Sequence, residues 1–262
     1  MTARHAWIVV LFAALVGEAG AEPPYSGTIF LDPDILTAGD PTTFVGLTDA
    51  GQGQRLMFDR RVNQFVTLNA YLFVATYADG LQIEFQVNPE FASVTAARAE
   101  AAFYAPVIGR LPRVLRADVQ TSWIHRGDEA FGGGNDNLLI HTGAIAQGYI
   151  ADGILEETFV HEAAHTSLDA THATSPGWIA AQQADAEFIS TYARDNPTRE
   201  DVAESVLPWL ALTCARHRID ASYATTTQST IPNRLAYFDA QVTGLGPLDC
   251  NAERVHEDGF EG

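Results

Sequence analysis

The hydrophobic pattern changes its period part-way along the chain, and that change limits the architectures open to it. Between residues 27 and 88 the segments "GTIFLDPDIL", "TTFVGL", "RLMFD", "VNQFVTLNAYLFVATYA" and "LQIEFQV" are rich in Val, Ile, Phe, Thr and Tyr. The turn formers "AGDP", "DAGQGQ" and "ADG" separate them, so this part reads as strands. From about Phe91 the pattern becomes helical. "EFASVTAARAEAAFYAPVIGRL" is alanine-rich and predicts a helix ending near Gly109, with Pro112 just beyond. "VLRADVQTSWIH" and "LLIH" read as strands with "GDEAFGGGNDN" as a loop between them; the loop resembles one calcium-binding glycine repeat but lacks the stacked copies such sites need. Three helices should then follow in succession. They are "GILEETFVHEAAHTSL", "SPGWIAAQQADAEFISTYARD" opening at Ser175 and Pro176, and a third begun by a Thr198/Asp201 capping box. Strands first and helices afterwards imply an α+β fold. The expected division is a β-rich region over residues 22–90 and a second region over 91–262.

The first residues point to export. "MTARHA" is positively charged, "WIVVLFAALV" is a short apolar run and "AGA" at Ala19–Ala21 is a small-residue cleavage site, which reads as a signal peptide over residues 1–21. The run is too short for a good membrane span, and no later segment is apolar enough for one. A secreted or periplasmic location is expected. The net charge of −18, from 15 basic against 33 acidic residues, argues against nucleic acid or an anionic membrane as partner, since both would repel such a surface. Cys214 and Cys250 are the only two cysteines, and in an exported chain they are expected to form a disulfide.

Chemistry enters at "FVHEAAHTSLDATH", residues 159–172. On a helix, His161 and His165 lie one turn apart on one face and can offer two imidazole nitrogens to a single tetrahedral ion. Glu162 lies about 100° round the axis, beside that ion, where it can take a proton from a water the metal activates. A chain of this composition in random order holds on the order of 0.01 such patterns. One zinc ion is therefore the expected cofactor, and a third protein ligand is required.

Several residues compete for that place. Leu168 and Thr171 stand where the variant motif with a third histidine would need a glycine and a histidine, and His172 comes one position late. Asp169 suits orienting a neighbour better than ligation. Asp185 and Glu187 follow His165 at a spacing close to that of thermolysin-like enzymes. Glu200 and Glu204 are four apart in "STYARDNPTREDVAES", hence stacked on one helix face.

Over residues 135–210 this arrangement resembles the gluzincin group of zinc peptidases that includes the anthrax lethal factor catalytic domain. There a tyrosine precedes a Glu-x-x-Ala-Glu segment. The resemblance implies a zincin-like core with Glu200 as third zinc ligand, Glu204 as a supporting acceptor for a histidine, and Tyr192 as a donor to the developing oxyanion. It departs from the group at Asp201, where the relatives carry an apolar residue. The reading that follows is a secreted zinc metallopeptidase with a peptide or protein substrate, Glu162 as general base, and "LLIH" as the edge strand along which substrate would lie. The competing reading is a zinc-stabilised binding module without turnover, which needs neither Glu162 nor Tyr192. His141 fits a buried core histidine better than a rim residue.

Overall fold

The computed structural model describes residues 22–248 and Cys250; the expected signal peptide and the tail after Cys250 lie outside the described residues. The fold is α+β. Six strands form one mixed sheet: β1 (Phe44–Asp59), β2 (Gln64–Tyr77), β3 (Gln82–Val87), β4 (Thr121–His125), β5 (Gly132–Gly134) and β6 (Asn137–His141). Their order is β1-β2-β3-β4-β6-β5. The first three pair antiparallel, β3–β4 and β4–β6 pair parallel, and β5 returns antiparallel on the far edge. The sheet thus runs across residue 90, with the strands on either side of that boundary hydrogen-bonded to each other.

Helix α1 (Val94–Ile108) connects β3 to the short α2 (Arg113–Arg116), and α3 (Ala144–Ala151) follows β6. Then come α4 (Leu155–Ser167), α5 (Asp169–His172), α6 (Pro176–Ala184), α7 (Thr191–Asp195), α8 (Asp201–Cys214), α9 (Ala221–Thr230) and α10 (Pro232–Gln241). Helices α1 and α4 touch each other and cover one face of the sheet, and α8 packs behind α4. One continuous core results, with Phe73, Phe85, Ile124 and Ile140 from the sheet against Tyr104, Phe159, Val160, Ala163 and Val206 from the helices. Among the described residues no helix is long and apolar enough to cross a membrane. Cys214 and Cys250 form the expected disulfide, fastening the chain after α10 to the end of α8.

Local signals hold where they rest on caps. The Ser93 hydroxyl accepts from the Ala96 amide to start α1, Gly109 ends it, and Ser175 accepts from the Trp178 amide to start α6 with Pro176 in its first turn. They fail where tertiary partners compete. "GTIFLDPDIL" alternates like a strand but pairs with none. The Glu157 carboxylate instead accepts from the Leu31 and Ile35 amides at 2.8 Å each, holding the segment as a strap that buries Ile29, Leu31, Ile35 and Leu36. "DAGQGQ" is an irregularity inside a continuous β1, with Gly51 at φ +80°, rather than a turn between two strands. In "VLRADVQTSWIH" only Thr121–His125 is strand, since Val114–Arg116 belong to α2.

The long expected helix from Ser175 to Asp195 breaks into α6 and α7, and the capping box at Thr198 does not form. One buried arginine explains both differences. Arg234, fully buried at the start of α10, pairs with Asp185 at 3.0 Å and Asp201 at 2.9 Å. Asp185 also accepts from the Asn233 and Arg234 amides at the N-terminus of α10. Asp185 is thereby drawn off the end of α6, and Asp201 faces inward and cannot cap. Its departure from the apolar residue of the gluzincin pattern has a partner.

Breaking such a triad leaves two buried carboxylates uncompensated. Arg234→Ala should lower the unfolding free energy by about 3–5 kcal/mol, measured by urea denaturation.

Candidate metal centre

Helix α4 places His161 and His165 one turn apart, and α8, packed behind it, brings Glu200 to them from the residue just before its first turn. The three donor atoms converge. The two Nε2 atoms are 3.2 Å apart, and Glu200 Oε2 lies 3.4 Å from that of His161 and 3.1 Å from that of His165. A tetrahedral ion with bonds of about 2.0–2.1 Å holds its ligand atoms about 3.3–3.4 Å apart. The triangle therefore has the dimensions of one face of such a tetrahedron. Glu200 Oε2 is buried with no hydrogen-bond partner, as a vertex awaiting a cation would be.

Each histidine has its other nitrogen turned to a carboxylate. His165 Nδ1 lies 2.7 Å from Asp169 Oδ2, and His161 Nδ1 lies 3.4 Å from Glu204 Oε1. Glu204 is fixed in turn by the Ser190 hydroxyl, which donates to its Oε2 at 2.7 Å and accepts from the Ala193 amide to start α7. Carboxylates in these places keep the Nδ1 protons where they are and leave Nε2 as the lone-pair donor. Without an ion, the neighbouring carboxylates favour a proton on His165. Burial opposes a charged His165, yet Asp169 and Glu200 overcome it and raise its pKa to about 10. Burial likewise opposes a charged Glu200, but the neighbouring imidazoles of His161 and His165 hold its carboxyl well below the usual range. The cluster attracts positive charge.

Beside the triangle lies a cleft of about 500 Å³. Glu162, half-buried, and Tyr192 line it with the three donors. Burial, followed by the carboxylates of Glu200 and Glu162, raises the pKa of Tyr192, so its hydroxyl keeps its proton at neutral pH. Phe30 from the strap, Arg60 from the β1–β2 turn, Tyr149 from α3 and Arg199 also line the cleft. None of these four carries a local sequence signal, because each arrives from a distant element.

The glycines at 132–134 form the edge strand β5 along the cleft rather than a loop. A β-carbon at Gly133 would overlap the backbone carbonyl of Glu162, so only glycine lets the strand approach α4 this closely. The Thr166 hydroxyl accepts from the Gly134 amide and donates to the Asn137 carbonyl, 2.8 Å each, stitching the same junction. "LLIH" belongs to β6, which lies between β4 and β5 and is wholly buried, so the expected edge is β5 instead. His141 is a core residue whose Nδ1 lies 3.1 Å from the Arg126 carbonyl.

The other candidates lie elsewhere. Asp185 belongs to the Arg234 triad, Glu187 accepts from the Phe188 amide, and His172 Nδ1 meets the Tyr237 hydroxyl at 2.8 Å. Among the described residues, His161, His165 and Glu200 are the group whose donor atoms could share an ion. Compared with family models, with curated proteins and with solved structures, the chain matches none.

Gly133→Ala sets a new methyl group against the backbone of Glu162. It should destabilise the fold by about 3 kcal/mol, at the upper end of overpacking costs. The readout is thermal or urea unfolding, with Gly148→Ala, where a β-carbon meets nothing within 4 Å, as the comparison.

Proposed function

We propose that this protein is an exported zinc-dependent peptidase of the gluzincin type. The observation that carries the reading is the tetrahedron-sized triangle of His161, His165 and Glu200 with Glu162 beside it in an open cleft. Two nitrogens and one carboxylate oxygen suit zinc, and three protein ligands with an open side are the pattern of catalytic rather than structural sites. When bound there, zinc would supply Lewis acidity, bringing the pKa of a water toward about 7 and polarising a peptide carbonyl.

The chain's own groups do the rest. Glu162 would accept the proton of the attacking water and deliver it to the leaving amine nitrogen. The Tyr192 hydroxyl would donate to the oxyanion as the carbonyl carbon becomes tetrahedral. Asp169 and Glu204 would hold the imidazoles in register. The free edge of β5 runs along the cleft, and an extended peptide could add to it as a strand, its backbone held independently of its side chains. Export rests on the signal-peptide pattern of residues 1–21 and agrees with the disulfide.

Two measurements test the reading. Purified protein should hold one equivalent of zinc by elemental analysis; Glu200→Ala should lose most of it and Glu187→Ala should keep it. Stoichiometric zinc in Glu200→Ala would remove that residue from the ligand set. A peptide-library digest should show cleavage by the wild-type protein and a loss of at least about 100-fold in Glu162→Gln. Zinc binding with identical digests from the two proteins would leave a zinc-stabilised binding module in place of a peptidase.

A further inference from the structure

We infer that Arg60 is a specificity-determining residue that binds a carboxylate of the substrate. This deepens the peptidase reading and rests on the cleft being where substrate lies.

The β1–β2 hairpin is longer than the sheet needs. Within the hairpin, β3 pairs only with Tyr71–Thr76, so the half between Tyr71 and the tip has no strand partner other than itself. That half crosses the outer face of the sheet. Met57, Ala70 and Leu72 cluster with Leu68 and with Trp123 of β4, and the Phe65 ring packs edge-on against Trp123 at 6.0 Å. The tip thereby reaches β5, on the opposite edge of the sheet from β1. It is clamped there: Arg61 donates to Asp59 and Glu90 at 2.7–3.1 Å, and Glu90 also accepts from the Arg126 amide.

This clamp presents the adjacent Arg60 to the cleft. A β-carbon on Gly132 would fall 2.7 Å from Arg60 Nη2, so the guanidinium lies directly over the first residue of β5. The charges of Arg60 and Glu162 both act on the Tyr149 hydroxyl. Arg60 is therefore on the wall of the reaction site. Among the described residues its guanidinium has no carboxylate or hydrogen-bond partner, in a chain with 33 acidic residues to 15 basic. Several arginines here are paired, Arg55 with Glu84, Arg116 with Asp79 and Arg218 with Asp40, whereas Arg113 and Arg126, which have no carboxylate partner among the described residues, do not line the cleft. Beyond Arg60 the surface continues into an apolar shelf of Phe58, Phe65 and Trp123, whose low polarity strengthens any ion pair formed beside it.

A planar, permanently charged fork with unused donors matches one ligand above others, a carboxylate held by two parallel hydrogen bonds. Arg199 also borders the cleft, but it is 78% exposed and lies 3.6 Å from Glu200, so its charge already serves the donor triangle. The carboxylate could be an Asp or Glu side chain near the scissile bond or the free C-terminus of the peptide.

The test uses the whole mature protein and matched fluorogenic peptides of three kinds. One is neutral with an amidated end, one carries an internal Glu with an amidated end, and one is neutral with a free C-terminal carboxylate. One carboxylate peptide should exceed the neutral one by about 10- to 100-fold in kcat/KM, and which one does so names the source. In Arg60→Gln that ratio should fall toward one, and in Arg60→Lys, which keeps the charge but loses the fork, it should be intermediate. Binding of the same peptides to Glu162→Gln, with and without Arg60→Gln, should show the same ratio in Kd by fluorescence anisotropy. Cleavage without carboxylate preference, or a preference that survives Arg60→Gln, overturns the assignment and leaves the peptidase reading intact. Arg60-dependent carboxylate binding without cleavage of any peptide keeps the assignment and removes the peptidase reading. Neither cleavage nor preferential binding removes both.

Discussion

The rest of the molecule is arranged around the burial of one helix. Nearly every side chain of α4 is buried, so each of its faces must find a partner, and each partner fixes another part of the fold. Phe159, Val160, Ala163 and Ala164 join the core shared with the sheet and α1. Glu157 takes two amides of the N-terminal strap, where burial pushes its pKa up to about 7 against the pull of those donors. The backbone at Glu162 meets Gly133, and the histidine face meets α8. A cylinder enclosed except where it borders the cleft holds its side chains in fixed directions, which a three-donor site requires.

Charge follows from the same enclosure. Two histidines and the carboxylates of Glu200, Glu204 and Asp169 are gathered against α4 with little water around them. Asp169 and Glu200 favour a proton on His165, and the proposed zinc ion would compensate the acids more completely. Elsewhere the acids are answered by arginine. Arg234 serves Asp185 and Asp201, and Arg61 serves Asp59 and Glu90. In a molecule so short of positive charge, the Arg60 guanidinium on the cleft wall, without a carboxylate partner among the described residues, is a group placed for a ligand.

What could be read along the chain was whatever depends on near neighbours. His161, Glu162 and His165 were legible because a helix brings i and i+4 together. Asp169 was legible as an orienting group for the same reason. Glu204 could be linked to Glu200 by the same spacing, but which acid completes the donor triangle depends on how α8 crosses α4. Asp185 and Glu187 were reasonable competitors until Arg234, more than 45 residues away, claimed the first. The glycines of β5 read as a loop, since nothing local says that a helix backbone lies against them.

The sequence alone determined the α+β class, the helix bearing the two histidines and the general-base candidate, and the pairing of two cysteines. Each of these depends on composition or on contacts within about one helical turn. Only the tertiary structure decided that Glu200 meets those histidines, that β5 rather than β6 forms the edge of the cleft, and that a hairpin tip brings Arg60 across the sheet to it. Those placements join residues separated by tens to about a hundred positions. They are set by the close packing of α4 between the sheet and α8, which no local pattern along the chain records.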